Sequence, residues 1–357
     1  MFKKLIAVLA LSSSFMTIAA DNLILVSIDG LRWQDVFNGA QMSILEDKDA
    51  AARPQELKAD FWHDDLQQRR EKLMPFLWQT IAKQGALIGN RDQGSNMSVA
   101  NPFMFSYPGY SEILTGIVDP KIDSNDKINN PNITFLEWLN SKPKYKNKVA
   151  AFASWDVFPY IINSERSKIP VNAGFDSSPE TDSYSQLLNQ LQTEIPSPWH
   201  NVGFDAFTHR FAMHHLALNK PKITYIAYGE TDDFAHDGLY DQYLYAAKRT
   251  DRYLQELWEF IQSTPEYRDN TVMLIVVDHG RGAQLADWGK HGAKYDVGSE
   301  QVWLAAIGPG VKSAGTITTP QEVKLNQIAA TALTLLGEQT SDFNPAAGKP
   351  ITYILSK

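Results

Sequence analysis

LILVSIDG, residues 23–30, is an unbroken run of strand length that ends in an aspartate and a glycine. A strand with one wet face alternates apolar and polar residues, whereas a strand covered on both faces does not. The same form recurs in VAAFAS (149–154), ITYIAY (223–228), VMLIVV (272–277) and VWLAAI (302–307). Helical patterns lie between these runs, notably Leu239 to Ile261 and Glu322 to Leu336. Strands alternating with helices predict an α/β fold around a mostly parallel central sheet.

The chain has 357 residues, 43% of them hydrophobic and 21% charged, enough for one large domain. Residues 43–72 and 117–147 are polar and read as loop insertions on one catalytic domain spanning 21–357; 117–147 includes a short helix, and 170–184 is also loop-like. At the N-terminus Lys3 and Lys4 precede the apolar stretch opened by Leu5 to Leu11, and MTIAA ends at Ala20 before Asp21. That is the form of a signal peptide over residues 1–20, so a soluble protein exported to the periplasm or medium is expected, without a retained membrane anchor. The net charge is −8 and no polybasic stripe exists, which argues against nucleic acid as a partner. There is no cysteine, so thiol catalysis and thiolate metal sites are excluded. Any metal must be held by histidine and carboxylate.

Chemistry-bearing residues gather where the strands end. LILVSI runs into Asp29-Gly30, VMLIVV into Asp278-His279-Gly280, and ITYIAY into GETDDFAH with Asp232 and His236. In an open parallel sheet, ligands bind beyond the carboxyl ends of the strands. Asp232 and His236, four residues apart, share one face of a helical turn. His291-Gly292 follows a dozen residues after Asp278-His279. Taken singly, an aspartate after a strand is commonly a helix cap. Carboxylates and histidines at three strand ends together point to a metal centre. His63, His200, His209, His214 and His215 lie in polar or helical contexts and read as structural or exposed. Ser106, in FMFSYPGYSEILTG (103–116), stands at the start of a helical pattern, either as its cap or as a nucleophile.

In this order, LILVSIDG, SYPGYSEILTG, D-x-x-x-H, VVDHG and the later HG resemble the alkaline phosphatase superfamily, most of all its type I phosphodiesterase/nucleotide pyrophosphatase-like branch of bacterial metallophosphatases. The resemblance runs from Asp29 to His291, and NQIAATALTLLG followed by GKPI is similar to the family's closing helix and loop. It implies a three-layer α/β/α fold and two divalent metal ions, one on Asp232, His236 and His291, the other on Asp29, Asp278, His279 and the Ser106 oxygen. A histidine-bearing donor set favours zinc, with manganese as the alternative. The implied activity is hydrolysis of a small-molecule phosphate ester, through attack by Ser106 and a phosphoserine. A sulfatase, a phosphoglycerate mutase-like enzyme and a non-catalytic metal-binding relative are the alternatives. Where the nucleotide branch has T-F-P-N-H, this chain has Ser106-Tyr107-Pro108-Gly109-Tyr110. Gly109 and Tyr110 are therefore the expected sites of substrate preference, which leans toward monoesters or broad phosphatase activity. Arg281 and Lys290 are the candidate cations for the phosphoryl group.

Overall fold

A computed structural model describes residues 19–295 and 298–356. The leader expected over residues 1–20 lies, up to residue 18, outside the described residues. Among those described there are ten strands: β1 (Asn22–Ile28), β2 (Ala86–Ile88), β3 (Met97–Ser98), β4 (Val149–Ala153), β5 (Val171–Ala173), β6 (Ile223–Tyr228), β7 (Thr271–Val276), β8 (Leu304–Ile307), β9 (Gly315–Thr316) and β10 (Val323–Lys324). Eight form one sheet in the order β5-β4-β6-β1-β7-β8-β2-β9, while β3 and β10 pair apart from it. Strands β5, β4, β6, β1 and β7 are parallel, and β8 alone runs antiparallel to its neighbours β7 and β2.

Unbroken apolar runs occupy the middle of the sheet because both faces are covered. Every residue of β1, β6 and β7 is buried. The helices Asp205–Asn219 and Tyr240–Ser263 pack on one side, while Ser106–Thr115, Phe135–Ser141 and Ile328–Leu335 cover the other. The layers are therefore α/β/α.

Register positions the site. Ile28 lies opposite Tyr228 on one side of β1, and Ser27 opposite Val276 on the other. Continued past the strand ends, these registers bring Asp29 level with Gly229 one step on and with Asp278 two steps on. Because side chains alternate by two, residues level in parallel strands share a face.

The stretch 43–72, expected to be irregular, instead forms the helices Met42–Leu45, Pro54–Phe61 and Leu66–Leu73. A few apolar side chains, including Leu57, Phe61 and Leu73, are buried and anchor them, and Asp65 caps the last by accepting from Gln68 N at 2.9 Å. The loop expected over 170–184 contains the short edge strand β5. The closing helix begins at Ile328, not Glu322, because residues 323–327 form β10 and a 3₁₀ turn. No helix among the described residues is long and apolar enough to cross a membrane.

Candidate metal centre

The helix Glu230–His236 follows β6 after one residue, and its start is held by a buried carboxylate. Asp205 accepts from Gly229 N at 2.8 Å, Glu230 N at 3.2 Å and the Ser154 hydroxyl at 2.5 Å. Thr231 Oγ1 donates to the Asp29 carbonyl at 2.5 Å, which ties this helix to the end of β1. So fixed, the helix directs Asp232 and His236 to one point: His236 Nε2 lies 3.1 Å from Asp232 Oδ2. His291, brought in by the loop after β7, has its Nε2 2.9 Å from His236 Nε2 and 3.7 Å from Asp232 Oδ1.

The second group lies beside the first. His279 Nε2 is 3.2 Å from Asp29 Oδ1, 3.5 Å from Asp278 Oδ2 and 3.6 Å from Asp232 Oδ1. Asp232 thus stands between the two clusters, and the His279 and His291 rings stack with centroids 3.9 Å apart. Asp278 Oδ1 accepts from Gly30 N at 3.1 Å, leaving Oδ2 to face inward.

These residues fit a cation better than they fit one another. Burial and the neighbouring Asp29 hold the Asp278 carboxyl well above its usual range. Burial opposes charge on His279, but Asp278 and Asp29 outweigh it and raise the imidazole to about 9. Burial, then His279, Arg281 and His236, hold His291 well below its ordinary value. Asp29 Oδ1, Asp278 Oδ2 and His279 Nε2 are buried without a hydrogen-bond partner. Buried polar atoms are nearly always paired, and unpaired carboxylate and imidazole atoms converging on one point suit a metal. Two sets of three ligand atoms meet a metal's spacing: Asp232, His236 and His291, and Asp29, Asp232 and His279.

Ser106 is the first residue of the helix Ser106–Thr115; Phe105 occupies the cap position and supplies no side-chain bond. The serine therefore does not cap the helix. It lines a cavity of about 210 Å³ with Asp29, Asp232, Asn125 and Asp233. The turn before it is built by polar side chains. Asn101 Oδ1 accepts from Phe103 N at 3.1 Å and Met104 N at 2.8 Å, and Met104 takes the left-handed φ of 58°. The buried Glu112 carboxylate accepts from Ala100 N, Asn101 N and Asn326 N at 2.8–2.9 Å, tying that turn to the C-terminal region.

The four expected substrate contacts are placed differently. Gly109 faces the end of β7, where a Cβ would stand 2.3 Å from the Asp278 carbonyl oxygen; its lack of a side chain permits this packing. Tyr110 is fully buried against Phe158 and donates its hydroxyl to Asp29 Oδ2 at 2.8 Å, so it orients a candidate ligand. Arg281 is also buried, with its guanidinium on Asp232 Oδ1 and on the Gly289 carbonyl at 2.6 Å. Lys290 is exposed and lines neither cavity at the centre.

The side chains that do face the centre were not singled out from sequence. Asn125 comes from the Asp- and Asn-rich insertion, and its Oδ1 accepts from Tyr107 N at 3.0 Å in the first turn of the Ser106 helix. It lies between the 210 Å³ cavity and a second of about 480 Å³, lined by Phe103, Phe105, His236, His291, Lys294 and Tyr295 among others. Asp233 neighbours a candidate ligand in sequence, and burial followed by the charges of Asp29 and Asp205 pushes its carboxyl up to about 8. The run of four polar residues in GETDD was the only sequence sign of it.

Residues 204–340 match the family model described as Metalloenzyme superfamily. No curated protein matches the chain. Among solved structures, wild-type alkaline phosphatase PafA superimposes with a TM-score of 0.60 at 11% identity, covering 95% of this chain and 99% of that one. The phosphonate monoester hydrolase SpPMH from Silicibacter pomeroyi gives 0.56 at 14% identity, covering 92% and 75%. A putative sulfatase from Bacteroides thetaiotaomicron gives 0.57 at 15% identity, covering 92% and 73%. At such identities the shared property is the fold. The chain therefore shares the fold of these enzymes, and its residues 204–340 match the metalloenzyme model.

Proposed function

We propose that the chain hydrolyses phosphate esters with Ser106 as nucleophile. The observation that carries this reading is the placement of Ser106: its hydroxyl caps no helix, yet it lines the same cavity as Asp29 and Asp232. Ser106 Oγ bonds to phosphorus, its proton passes to solvent, and the bond from phosphorus to the ester oxygen breaks. The departing alcohol takes a proton from water. A water molecule then attacks the phosphoserine, breaks the Oγ–P bond and restores the serine. Divalent cations held by Asp232, His236 and His291, and by Asp29, Asp278 and His279, would supply Lewis acidity that activates the serine hydroxyl, a poor nucleophile at its free pKa. The imidazoles favour zinc, with manganese as the alternative. Ser106 lies in the first turn of its helix, whose positive end favours an anionic group nearby. Asn125, whose Oδ1 is held by Tyr107 N, has an amide nitrogen available for a phosphoryl oxygen.

Charge distinguishes the ester classes. Among the described residues no Lys or Arg lines the Ser106 cavity, so a phosphoryl group there would have no protein cation beside it beyond the metals that Asp29 and Asp232 would hold. A monoester dianion finds less compensation there than a singly charged diester, which moves the reading away from the monoester lean. Sulfate esters are also singly charged and remain the second reading. The Ser106→Ala variant is expected to bind as much metal as wild type while losing p-nitrophenyl ester turnover by at least a hundredfold. Turnover that survives this change removes Ser106 as nucleophile. Comparing mono-, di- and sulfate esters of p-nitrophenol ranks the substrate classes.

A further inference from the structure

A wholly buried ion pair lies outside both candidate metal clusters. Arg32 and Asp35, at the start of the helix Trp33–Asn38, are both fully buried. Arg32 Nε donates to Asp35 Oδ2 at 2.7 Å, and its Nη2 to Asp35 Oδ1 at 2.9 Å. The Tyr240 and Tyr243 hydroxyls donate to the same carboxylate at 2.6 and 2.9 Å, which fills its acceptor positions. Gln41 completes the cluster: its Oε1 accepts from Arg32 Nη2 at 3.0 Å, and its N donates to the Tyr240 hydroxyl at 2.9 Å. A buried pair of this kind is weak evidence for stability, since apolar side chains of equal volume often serve as well. A fully satisfied network does supply rigidity.

Two side-chain hydrogen bonds lead out of the cluster, and both reach the start of the loop after β7. Arg32 Nη1 donates to the Gly282 carbonyl at 2.9 Å, and Gln41 Nε2 to the Ala283 carbonyl at 2.9 Å. The far side of the loop is drawn to the same place. Trp288 packs edge-on against Tyr240 and Tyr243, with ring centroids 5.0 and 5.7 Å apart. Gly282 N donates to the Lys290 carbonyl at 3.1 Å, closing the neck of the loop one residue before His291. Gly289 passes so near the helix Glu230–His236 that a Cβ would stand 2.5 Å from the Ala235 carbonyl oxygen. His291 has little else to orient it, because its Nδ1 lies 3.4 Å from the Met104 carbonyl, long for a hydrogen bond. Its placement therefore falls to the loop. We infer that Arg32 and Gln41 are positioning residues for His291, holding the neck of the loop so that the imidazole meets Asp232 and His236. The consequence for metal binding rests on the metal reading of that cluster.

Arg32 is a poor residue to remove first, since its loss leaves Asp35 charged and unpaired in the interior. Gln41→Met keeps the ion pair and the side-chain length and deletes the side-chain bonds to Ala283 and Arg32. Zinc affinity is measured by chelator competition for wild type, Gln41→Met, His291→Ala and the double variant. Gln41→Met is expected to bind zinc about tenfold more weakly than wild type, the low end of what supporting contacts of metal ligands contribute. In the His291→Ala background the same substitution is expected to change nothing further, because a residue that acts through His291 loses its target with the imidazole. A general loss of structure would weaken both backgrounds alike. Unchanged affinity in Gln41→Met, or a loss that persists in the His291→Ala background, overturns the inference. If wild type binds no zinc, the metal reading fails instead, and the loop is read without metal by hydrogen exchange at the Gly282 amide. Exchange about tenfold faster in Gln41→Met, with the β1 amides unchanged, supports the inference; equal exchange overturns it.

Discussion

Tyr110 shows how a residue's neighbours in sequence can mislead about its task. By position it belongs to the motif that begins at Ser106, yet its hydroxyl reaches back to Asp29 Oδ2. Removing a hydrogen-bond partner of a metal-binding side chain typically costs ten- to a hundredfold in metal affinity. Tyr110→Phe is therefore expected to weaken metal binding by about that factor in a chelator competition, with its far-UV circular dichroism unchanged. An unaltered affinity would show that Asp29 needs no orientation from this side. The strand-end aspartates and the histidines beside them were legible in the sequence because each follows an unmistakable apolar run. Tyr110, Asn125 and Asp233 were not, since their roles depend on which segments fold against one another. Nothing within GYSEI or DSNDK encodes that Asn125 would meet Tyr107 N or that Tyr110 would be sealed beneath Trp155 and Phe158.

Among the elements, the Ser106 helix depends on closeness to β7. A Cβ at Gly109 would stand 2.3 Å from the Asp278 carbonyl oxygen, a distance no real contact tolerates. Gly109→Ala must push the helix from the strand end, at a cost on the order of 1–3 kcal/mol typical of overpacking. The expected outcome is a lower midpoint of urea unfolding together with a fall in ester turnover; loss of stability alone would separate packing from presentation of Ser106. The helix Asp205–Asn219 carries a different sensitivity. His209 is buried beneath β6 between the Tyr228 hydroxyl at 2.8 Å and Glu256 at 3.2 Å, and it stacks on Tyr253. Burial, with Arg210 nearby, lowers its pKa from 6.5 to about 4. The unfolded chain then binds the extra proton between those values, so His209 removes stability as pH falls from 6.5 toward 4, by about 3 kcal/mol at most. Urea unfolding of His209→Gln should show a shallower loss across that window than wild type. The long apolar runs and the 240–263 amphipathic pattern were readable as elements. The three helices of 42–73 were not, because so few of their side chains are apolar and it is tertiary burial that fixes them.

For the molecule as a whole, the two clusters place carboxylates beside carboxylates and imidazoles beside imidazoles at the carboxyl edge of the sheet. Anything that binds only the folded chain stabilises it, by roughly 4 kcal/mol when free ligand is about a thousand times its Kd. Chelation is accordingly expected to lower the thermal midpoint and abolish turnover together, and added zinc to restore both. A midpoint indifferent to chelator, with activity retained, would contradict the metal reading. The layered architecture was legible because it follows from apolar periodicity. The antiparallel direction of β8 and the short strands β2 and β9 were not, since two- to four-residue strands carry too little pattern.

The central position of β1 has a consequence for the order in which the chain assembles. Leu23 lies beside Ile223 on one side and Val272 on the other, so the first strand to be synthesised finds its partners only after 200 and 249 further residues. Contacts so distant in sequence make for slow closure. Until residue 276 has emerged, the middle of the sheet has no place to form, and a growing chain of 270 residues carries β1 with its β7 edge still open. Glu112 extends the delay, because Asn326 must arrive before the turn ahead of Ser106 is fully held. Ser106 is laid down in the first third of the chain, and its surroundings are completed in the last tenth.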